Sequence, residues 1–130
     1  MKLKKIATEF QECKTFVQWC DLHPHIGSYL FHIPNEGERN QWERKKQHDQ
    51  GLRRGIPDYM LAIPSNGYHG LFIEMKRAGT QNHAHRTEQD EWNLKLNHSG
   101  YRAVFCHGAD EAILEVKNYL NDQGKKDIAY

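Results

Sequence analysis

The stretch GIPDYMLAIPSNGYHGLFIEMKR, residues 55–77, carries the pattern that decides the fold. It consists of two apolar runs joined by residues that favour turns. Two β-prone runs this close in sequence are expected to pair as antiparallel strands. Three charged side chains interrupt them: Asp58 near the start of the first run, and Glu74 and Lys76 near the end of the second. Because breaks in an apolar pattern tend to mark function, we expect the functional site to lie here.

The register of this hairpin decides whether the charged side chains share a face. Glu74 and Lys76 are two residues apart on a strand, so both side chains leave the same face. If residue numbers across the hairpin sum to 132, Asp58 stands opposite Glu74, with Cβ atoms roughly 5 Å apart. A tight turn at Asn66-Gly67 would make the sum 133 and place Asp58 opposite Met75, on the wrong face. We therefore predict a longer loop, or a bulge that shifts the phase.

Two carboxylates this close repel one another unless a cation lies between them. Hard divalent ions such as Mg²⁺, for which Mn²⁺ can substitute, bind carboxylate, carbonyl and water oxygens. A lysine beside such an ion suits phosphodiester hydrolysis, because it adds positive charge and can orient the attacking water. Asp58, Glu74 and Lys76 therefore indicate a metal-dependent nuclease site. For the ExK spacing alone, a structural ion pair between Glu74 and Lys76 is the alternative interpretation.

The composition indicates one domain with a polar surface. A chain of 130 residues with 38% hydrophobic residues can bury a core, and its mean hydropathy is -0.90. No apolar run approaches the ~20 residues that span a bilayer, and the basic start MKLKKIATEF lacks the apolar segment of a signal peptide. Three cysteines without a CxxC motif are expected to be reduced and buried. We expect a single domain over residues 1–130, cytoplasmic and without a membrane partner, with a flexible tail from about residue 122.

The order of secondary-structure signals indicates the fold class. Helices are predicted over residues 6–21, 38–50, 88–98 and 109–121, and strands over residues 29–33, 57–63, 71–76 and 101–106. This order, α-β-α-β-β-α-β-α, favours an α/β fold with a mixed four-stranded sheet flanked by helices. The third and fourth strands, joined through a helix, have the length of a crossover connection.

Apolar positions predict which helix faces turn inward. In the first helix one stripe recurs at helical spacing: Ile6, Phe10, Cys13, Val17 and Cys20. In the last helix the inward positions are Ala112, Ile113, Val116 and Leu120. Trp42 and Trp92 are expected to anchor their helices to the core rather than to serve as base-stacking platforms.

Basic residues concentrate between residues 39 and 54, although the net charge of the chain is only +1. The segment contains six basic residues against Glu43 and Asp49. Such a local excess can follow a phosphate backbone, and a solvated helix face is the alternative. Together with a basic residue at the end of the quoted stretch, the candidate DNA-binding residues are Arg39, Arg44, Lys45, Lys46, Arg53, Arg54 and Arg77.

Pro57-Asp58 followed by Glu74-Met75-Lys76 is the signature of PD-(D/E)XK nucleases. Five segments occur around it in a fixed order: IPNEGERN (33–40), GIPDYMLAI (55–63), GLFIEMKR (70–77), TEQDEW (87–92) and GYRAVFC (100–106). This set resembles the VRR-NUC family, the virus-type replication and repair nucleases, from about Thr8 to Leu120. The resemblance implies a restriction-endonuclease-like PD-(D/E)XK fold.

The resemblance also implies individual roles. Asp58 and Glu74 would bind the metal, with the Met75 backbone carbonyl as a third ligand. Lys76 would be the catalytic lysine, and Gln89 would support that lysine or the scissile phosphate.

Further positions are matched outside the signature. The family places a glutamate of the outer metal shell on the first helix, for which Glu9 is our assignment and Glu12 the alternative. Gly55 and Asn35 match positions whose role is the shape of the backbone.

Small stand-alone members of this family, from phages and bacteria, resemble Holliday-junction resolvases and act as homodimers. The resemblance therefore implies branched or four-way-junction DNA as the partner, a homodimer, and a role in replication, repair or recombination. Flap-type or restriction-type specificity, and a non-catalytic DNA-binding or assembly module on the same fold, are the alternatives. The intact Asp58, Glu74 and Lys76 argue against the module.

The histidines raise a zinc hypothesis. They include two HxH pairs, His23 with His25 and His83 with His85. Zinc commonly takes four ligands at spacings such as C-x₂₋₄-C or H-x₃₋₅-H, and no cysteine lies near either pair. We favour loop histidines that contact DNA over a zinc site.

Overall fold

The computed structural model describes residues 7–34, 40–79 and 87–121. Within these ranges the elements are α1 (Glu9–Asp21), α2 (Pro24–Gly27), β1 (Leu30–His32), α3 (Gln41–Asp49), β2 (Tyr59–Leu61), β3 (Leu71–Lys76), α4 (Glu88–His98), β4 (Arg102–His107) and α5 (Ala109–Leu120). None of the described helices is both long and apolar enough to cross a membrane.

These elements follow the predicted order with one addition. A four-residue helix, α2, begins at Pro24, where the sequence indicated only the end of the first helix. Proline is well tolerated at the first helical position, because its missing N–H is not needed there. β3 and α4 have the predicted bounds, whereas β2 spans three residues instead of the seven predicted.

The four strands form one mixed sheet in the order β1-β2-β3-β4. β1 pairs antiparallel with β2 and β2 antiparallel with β3, while β3 and β4 are parallel. The parallel pair is connected through α4, as parallel pairing requires. The predicted mixed four-stranded sheet flanked by helices is therefore confirmed.

The core lies where α1 and α5 pack against each other and against β3. Alternate residues of β3 point into it, so that Leu71, Ile73 and Met75 are almost fully buried. Cys20 and Cys106 are buried free thiols, as predicted, whereas Cys13 is only partly buried. The helical residues of the core are Phe16, Cys20, Ile26, Ala109, Ala112, Val116, Tyr119 and Leu120.

The inward face of α1 differs from the predicted stripe. The helix begins at Glu9 because Thr8 caps it: the Gln11 amide donates to Thr8 Oγ1 over 3.1 Å, and Gln11 Oε1 accepts from the Thr8 amide over 2.8 Å. Phe16, which the stripe omitted, is fully buried, whereas Phe10 is 75% exposed. The prediction for Phe10 was wrong because Phe10 belongs to the first turn, beyond the length of α1 that is buried.

The predicted roles of the two tryptophans as core anchors are also revised. α3 buries none of its residues and Trp42 is 69% exposed, so that prediction was wrong. The physical reason is that α3 is an almost wholly polar helix whose single large apolar residue does not reach the core. Trp92 is partly buried, and its indole N–H donates to the Arg54 carbonyl oxygen over 3.1 Å.

The β2–β3 hairpin has the register that places Asp58 opposite Glu74, which the sequence analysis predicted only on condition of a longer loop or a bulge. Tyr59 pairs with Ile73 and Leu61 with Leu71, so the numbers sum to 132. At the tip, Ser65 and Tyr68 form a separate two-bond pair around a tight turn, and their numbers sum to 133. The outgoing chain therefore contains one residue more than the returning chain between tip and strands. This is the phase shift that the sequence analysis required.

The hairpin tip is fixed by α5. Asn66 and Gly67 both adopt positive φ angles, 52° and 84°, which suit a two-residue hairpin turn. The Tyr119 carbonyl oxygen accepts from Ser65 Oγ over 2.6 Å and from Asn66 Nδ2 over 3.0 Å, and the Tyr119 hydroxyl donates to the Ile63 carbonyl over 2.6 Å. Tyr119 thus holds both the turn and the segment before it, which contains the additional residue.

Some sequence-based expectations concern residues outside the described ranges. These are the tail from residue 122, the inward position of Ile6, the backbone role of Asn35, the DNA contact of Arg39, and the pair His83 and His85.

Replacing Phe16 with alanine is expected to lower the free energy of unfolding by about 3–5 kcal/mol, because the change empties the volume of a fully buried ring. The same change at Phe10, in the same helix, is expected to cost less than about 0.5 kcal/mol. Chemical denaturation of both variants measures the two values. Equal losses would mean that Phe10 faces the core after all.

Candidate active site

Two acidic side chains of the hairpin lie together in a buried position. Asp58 is 8% exposed and Glu74 is 5% exposed. Extending the β2–β3 register by one residue places Asp58 opposite Glu74, with both side chains on one face of the sheet. The Met75 amide donates to Asp58 Oδ2 over 2.7 Å, so the Asp58 carboxylate is anchored beside β3.

This proximity changes the protonation of Glu74. Burial, followed by hydrogen bonding to Asp58 and by its negative charge, raises the pKa of Glu74 to about 10. Lys76 acts in the opposite direction but does not compensate. At neutral pH and without a cation, the carboxyl pair therefore retains a proton. A positive ion bound between Asp58 and Glu74 would replace that proton and reduce the repulsion between the two carboxylates.

The donor atoms fit a hard divalent ion. Among the described residues, no three His, Cys, Asp or Glu side chains are grouped so that they could hold a metal. Mg²⁺ sites typically use one or two carboxylates and complete the octahedron with waters and substrate phosphate oxygens, so Asp58 and Glu74 suffice. The Met75 amide points toward Asp58, and the amide and carbonyl of a strand residue point to the same side. The Met75 carbonyl is thus directed to the same place.

The described part of the chain offers little for zinc. The His23 and His25 rings lie 6.5 Å apart, and His23 packs on Trp19 with ring centroids 4.7 Å apart.

Lys76 is held by the first turn of α4. Its Nζ donates to Gln89 Oε1 over 2.5 Å, and it lies 5.8 Å from the centroid of the Phe105 ring. The backbone of Lys76 is fixed as well, because its carbonyl oxygen accepts from the Gly108 amide over 2.9 Å. Lys76 leaves the same face of β3 as Glu74, as the two-residue spacing predicted. The two residues matched to the lysine and the glutamine are thus in direct contact.

The position of Gln89 depends on the segment that precedes β2. Gly55 has a φ of +84°, and a Cβ there would lie 2.5 Å from Glu88 Cβ and 2.8 Å from the Gln89 amide nitrogen. The adjacent Arg54 approaches Glu88 at 4.0 Å and accepts the indole hydrogen bond of Trp92. Only glycine permits this approach, which gives a physical reason for the backbone role that the family resemblance implied for Gly55. Sequence analysis named Trp92 as a core anchor and missed its hydrogen bond to the segment before β2. The available signal was its indole N–H, which needs an acceptor when it is buried.

The start of α4 is determined locally. Thr87 and Asp90 form a capping box, in which the Asp90 amide donates to Thr87 Oγ1 over 3.4 Å and the Thr87 amide donates to Asp90 Oδ2 over 3.0 Å. This box fixes where the first turn begins, and hence the turn on which Gln89 lies.

The two glutamates of α1 face different surroundings. Burial and then the charge of Asp58 raise the pKa of Glu9, while Lys76 lowers it, so Glu9 lies within electrostatic reach of the site. Glu12 Oε2 instead accepts from the Ala109 amide at the first residue of α5, over 3.2 Å. The Ala109 contact gives Glu12 a capping position, and Glu9, whose pKa responds to the charges of Asp58 and Lys76, stays our assignment for the acid of the site.

The basic residues are distributed over three places. Arg44, Lys45 and Lys46 lie on exposed α3, where Lys45 approaches Asp49 at 3.5 Å. In the connection to β2, Arg53 donates to the His48 carbonyl over 2.8 Å and Arg54 lies beside α4.

Arg77 lies elsewhere, at the end of β3, where its Nε donates to the Ala7 carbonyl over 3.2 Å. The described contacts therefore bring Arg54 to α4, whose first turn contributes to the site, but do not join all these residues into one patch.

Comparisons with known proteins identify the family of the chain. The family model for the VRR-NUC domain matches residues 2–110. A solved structure of a "VRR_NUC domain protein" is similar with a TM-score of 0.78 and 28% sequence identity, covering 92% of this chain and 92% of that chain. No curated protein matches. The matched residues include Asp58, Glu74, Lys76 and Gln89, and they span most of the sequence. The chain therefore belongs to the VRR-NUC family, a nuclease-type family with the PD-(D/E)XK fold.

Proposed function

We propose that the protein is a Mg²⁺- or Mn²⁺-dependent endonuclease that hydrolyses phosphodiester bonds in DNA. The observation that carries the proposal is the buried pair Asp58 and Glu74, with Lys76 on the same face and held by Gln89. Burying two adjacent carboxyls costs stability unless an ion or proton compensates. A module that only binds DNA would lose stability through these two carboxyls without gaining a function from them, which disfavours the non-catalytic alternative.

The chain's own residues have separable tasks in this reaction. Asp58, Glu74 and the Met75 carbonyl would hold the ion, and Glu9 would accept hydrogen bonds from its outer waters. When bound, the ion polarises the phosphate and lowers the pKa of a water. Lys76 brings a positive charge to the scissile phosphate and can orient the attacking water. Gln89 holds the ammonium group of Lys76 in place while the substrate approaches.

The proposed substrate is branched DNA, with a four-way junction as the first candidate, cleaved by a homodimer in the cytoplasm during replication, repair or recombination. Membership of the VRR-NUC family supports DNA as the substrate class. Two copies would place two active sites on opposing strands. Flap-type and restriction-type cleavage share the same chemistry, so substrates of each kind belong in the test.

Lys76→Ala is expected to reduce cleavage by about 100-fold or more, because it removes a positive charge from the developing transition state. The measurement is cleavage of labelled four-way junction, flap, splayed and plain duplex DNA with Mg²⁺ or Mn²⁺. Lys117→Ala, which removes an exposed lysine of α5, is the matched control and should cleave like the unaltered protein.

Chelation by EDTA should abolish cleavage and leave DNA binding measurable. Undiminished cleavage by Lys76→Ala, or cleavage in EDTA, would contradict the proposal. The preferred substrate in the panel decides between junction, flap and restriction-type activity, and light scattering of the free protein decides between monomer and homodimer.

Glu9→Ala is expected to reduce cleavage roughly tenfold or more without changing the melting temperature, as loss of an outer-shell metal partner does. Glu12→Ala should instead cost about 1 kcal/mol of stability, since it removes the acceptor at the start of α5. Thermal melting and cleavage at a temperature where both variants are folded separate the effects. The reverse outcome would assign the metal-shell role to Glu12.

Gly55→Ala is expected to reduce cleavage strongly, because its Cβ would push the first turn of α4, and Gln89 with it, away from Lys76. Gly51→Ala is the matched control: Gly51 also has a positive φ, +105°, but a Cβ there meets nothing within 4 Å. Both variants should lose about 1–2 kcal/mol to the left-handed backbone. Comparable cleavage by the two would show that α4 does not depend on the contact with Gly55.

A further inference from the structure

Trp42 occupies a position that the fold does not explain. It is 69% exposed, on a helix that buries none of its residues. Trp19 and Trp92, the other two tryptophans, are both partly buried. A large aromatic ring kept in water contributes little to the core, so burial does not account for a tryptophan at this position.

We propose that Trp42 is a stacking site for an unpaired DNA base. The inference takes DNA as the ligand from the proposed function, and it adds the part of the DNA that this surface recognises. Every base presents a π-face, so a stacking site on α3 would bind single-stranded nucleotides without requiring a sequence. Bases inside a duplex are stacked on one another, and they present no free face to such a ring.

The charges around the ring favour nucleic acid as its occupant. Lys46 Nζ lies 4.7 Å from the centroid of the Trp42 ring, and Lys45, three residues after Trp42, lies on the same side of the helix. Aromatic rings beside cationic side chains are the combination by which proteins bind single strands: the ring stacks on the base and the cation contacts the phosphate. The same positive charges disfavour the apolar face of a second copy, because two α3 helices would bring like charges together.

The proposed stacking site is connected to the candidate active site by a short, bonded segment. Arg53 donates to the His48 carbonyl of α3, and Gly55 contacts the start of α4. Gln89, in that first turn, contacts Lys76. If one DNA molecule occupies both places, it presents an unpaired base to Trp42 and a phosphate to Lys76, which a branched substrate can do and a continuous duplex cannot.

The test is binding in EDTA, so that no DNA is cut. The probes are a fluorescein-labelled 15-nucleotide oligothymidine and a fully paired hairpin duplex, measured by anisotropy. Trp42→Leu should bind the oligothymidine about tenfold more weakly and the duplex unchanged, while Trp42→Phe, which keeps a ring, should retain most of the affinity. Tyr29→Leu, at another exposed aromatic residue, is the matched control and should bind both probes as the unaltered protein does.

Quenching of tryptophan fluorescence by oligothymidine should also be lost in Trp42→Phe, because the two remaining tryptophans lie elsewhere. Equal weakening for both probes, no weakening, or an oligomeric state changed by Trp42→Leu would overturn the stacking site, the last by indicating a protein partner. These outcomes are independent of the cleavage assay. A protein that cleaves DNA but binds both probes without Trp42 retains the proposed function and loses this inference.

Discussion

The candidate site depends on a one-residue difference in phase within a single hairpin. The tip at Asn66 and Gly67 forms a tight turn, whose own register would turn Asp58 away from Glu74. One additional residue on the outgoing side restores the register of the strands, and Tyr119 of α5 holds that region through three hydrogen bonds. The register is thus maintained at the end of the hairpin opposite to the carboxylates that need it.

Placing Asp58 opposite Glu74 creates a repulsion that the rest of the site is built to accommodate. The Met75 amide compensates part of the charge on Asp58, and Lys76 contributes a positive charge on the same face. The burial and repulsion that these groups do not compensate raise the pKa of Glu74. Stability alone would favour apolar residues at these positions, since buried charges contribute little net stabilisation. The arrangement is therefore better explained as a preorganised binding site for a cation and a phosphate than as a stabilising ion pair.

Local signals allowed part of this structure to be predicted from sequence, and distant contacts determined the rest. β3 and α4 were located correctly because the ExK strand and the Thr87 capping box are encoded within a few residues. The hairpin register could be stated only as a condition, since the residue that fixes it, Tyr119, lies more than fifty positions away. Phe10 was misassigned because periodicity shows which side of a helix is apolar, but not how much of the helix the core covers. Trp42 was misassigned because one large apolar residue does not bring an otherwise polar helix to the core.

The two glutamates of α1 show why sequence alone left the first-helix acid open. Glu9 and Glu12 are three residues apart, so both lie on one side of the helix, and either matches the family's position. Their tasks separate only because α5 begins beside Glu12, at Ala109. The residue before it, Gly108, donates to the carbonyl of Lys76, so the contact made by Glu12 also stabilises the end of β3. Glu9, about one turn earlier in α1, has a pKa that responds to the charges of Asp58 and Lys76. The two glutamates on this side of α1 therefore have different tasks. Glu12 supports the end of the strand that contains Lys76, and Glu9 responds to the charges of Asp58 and Lys76.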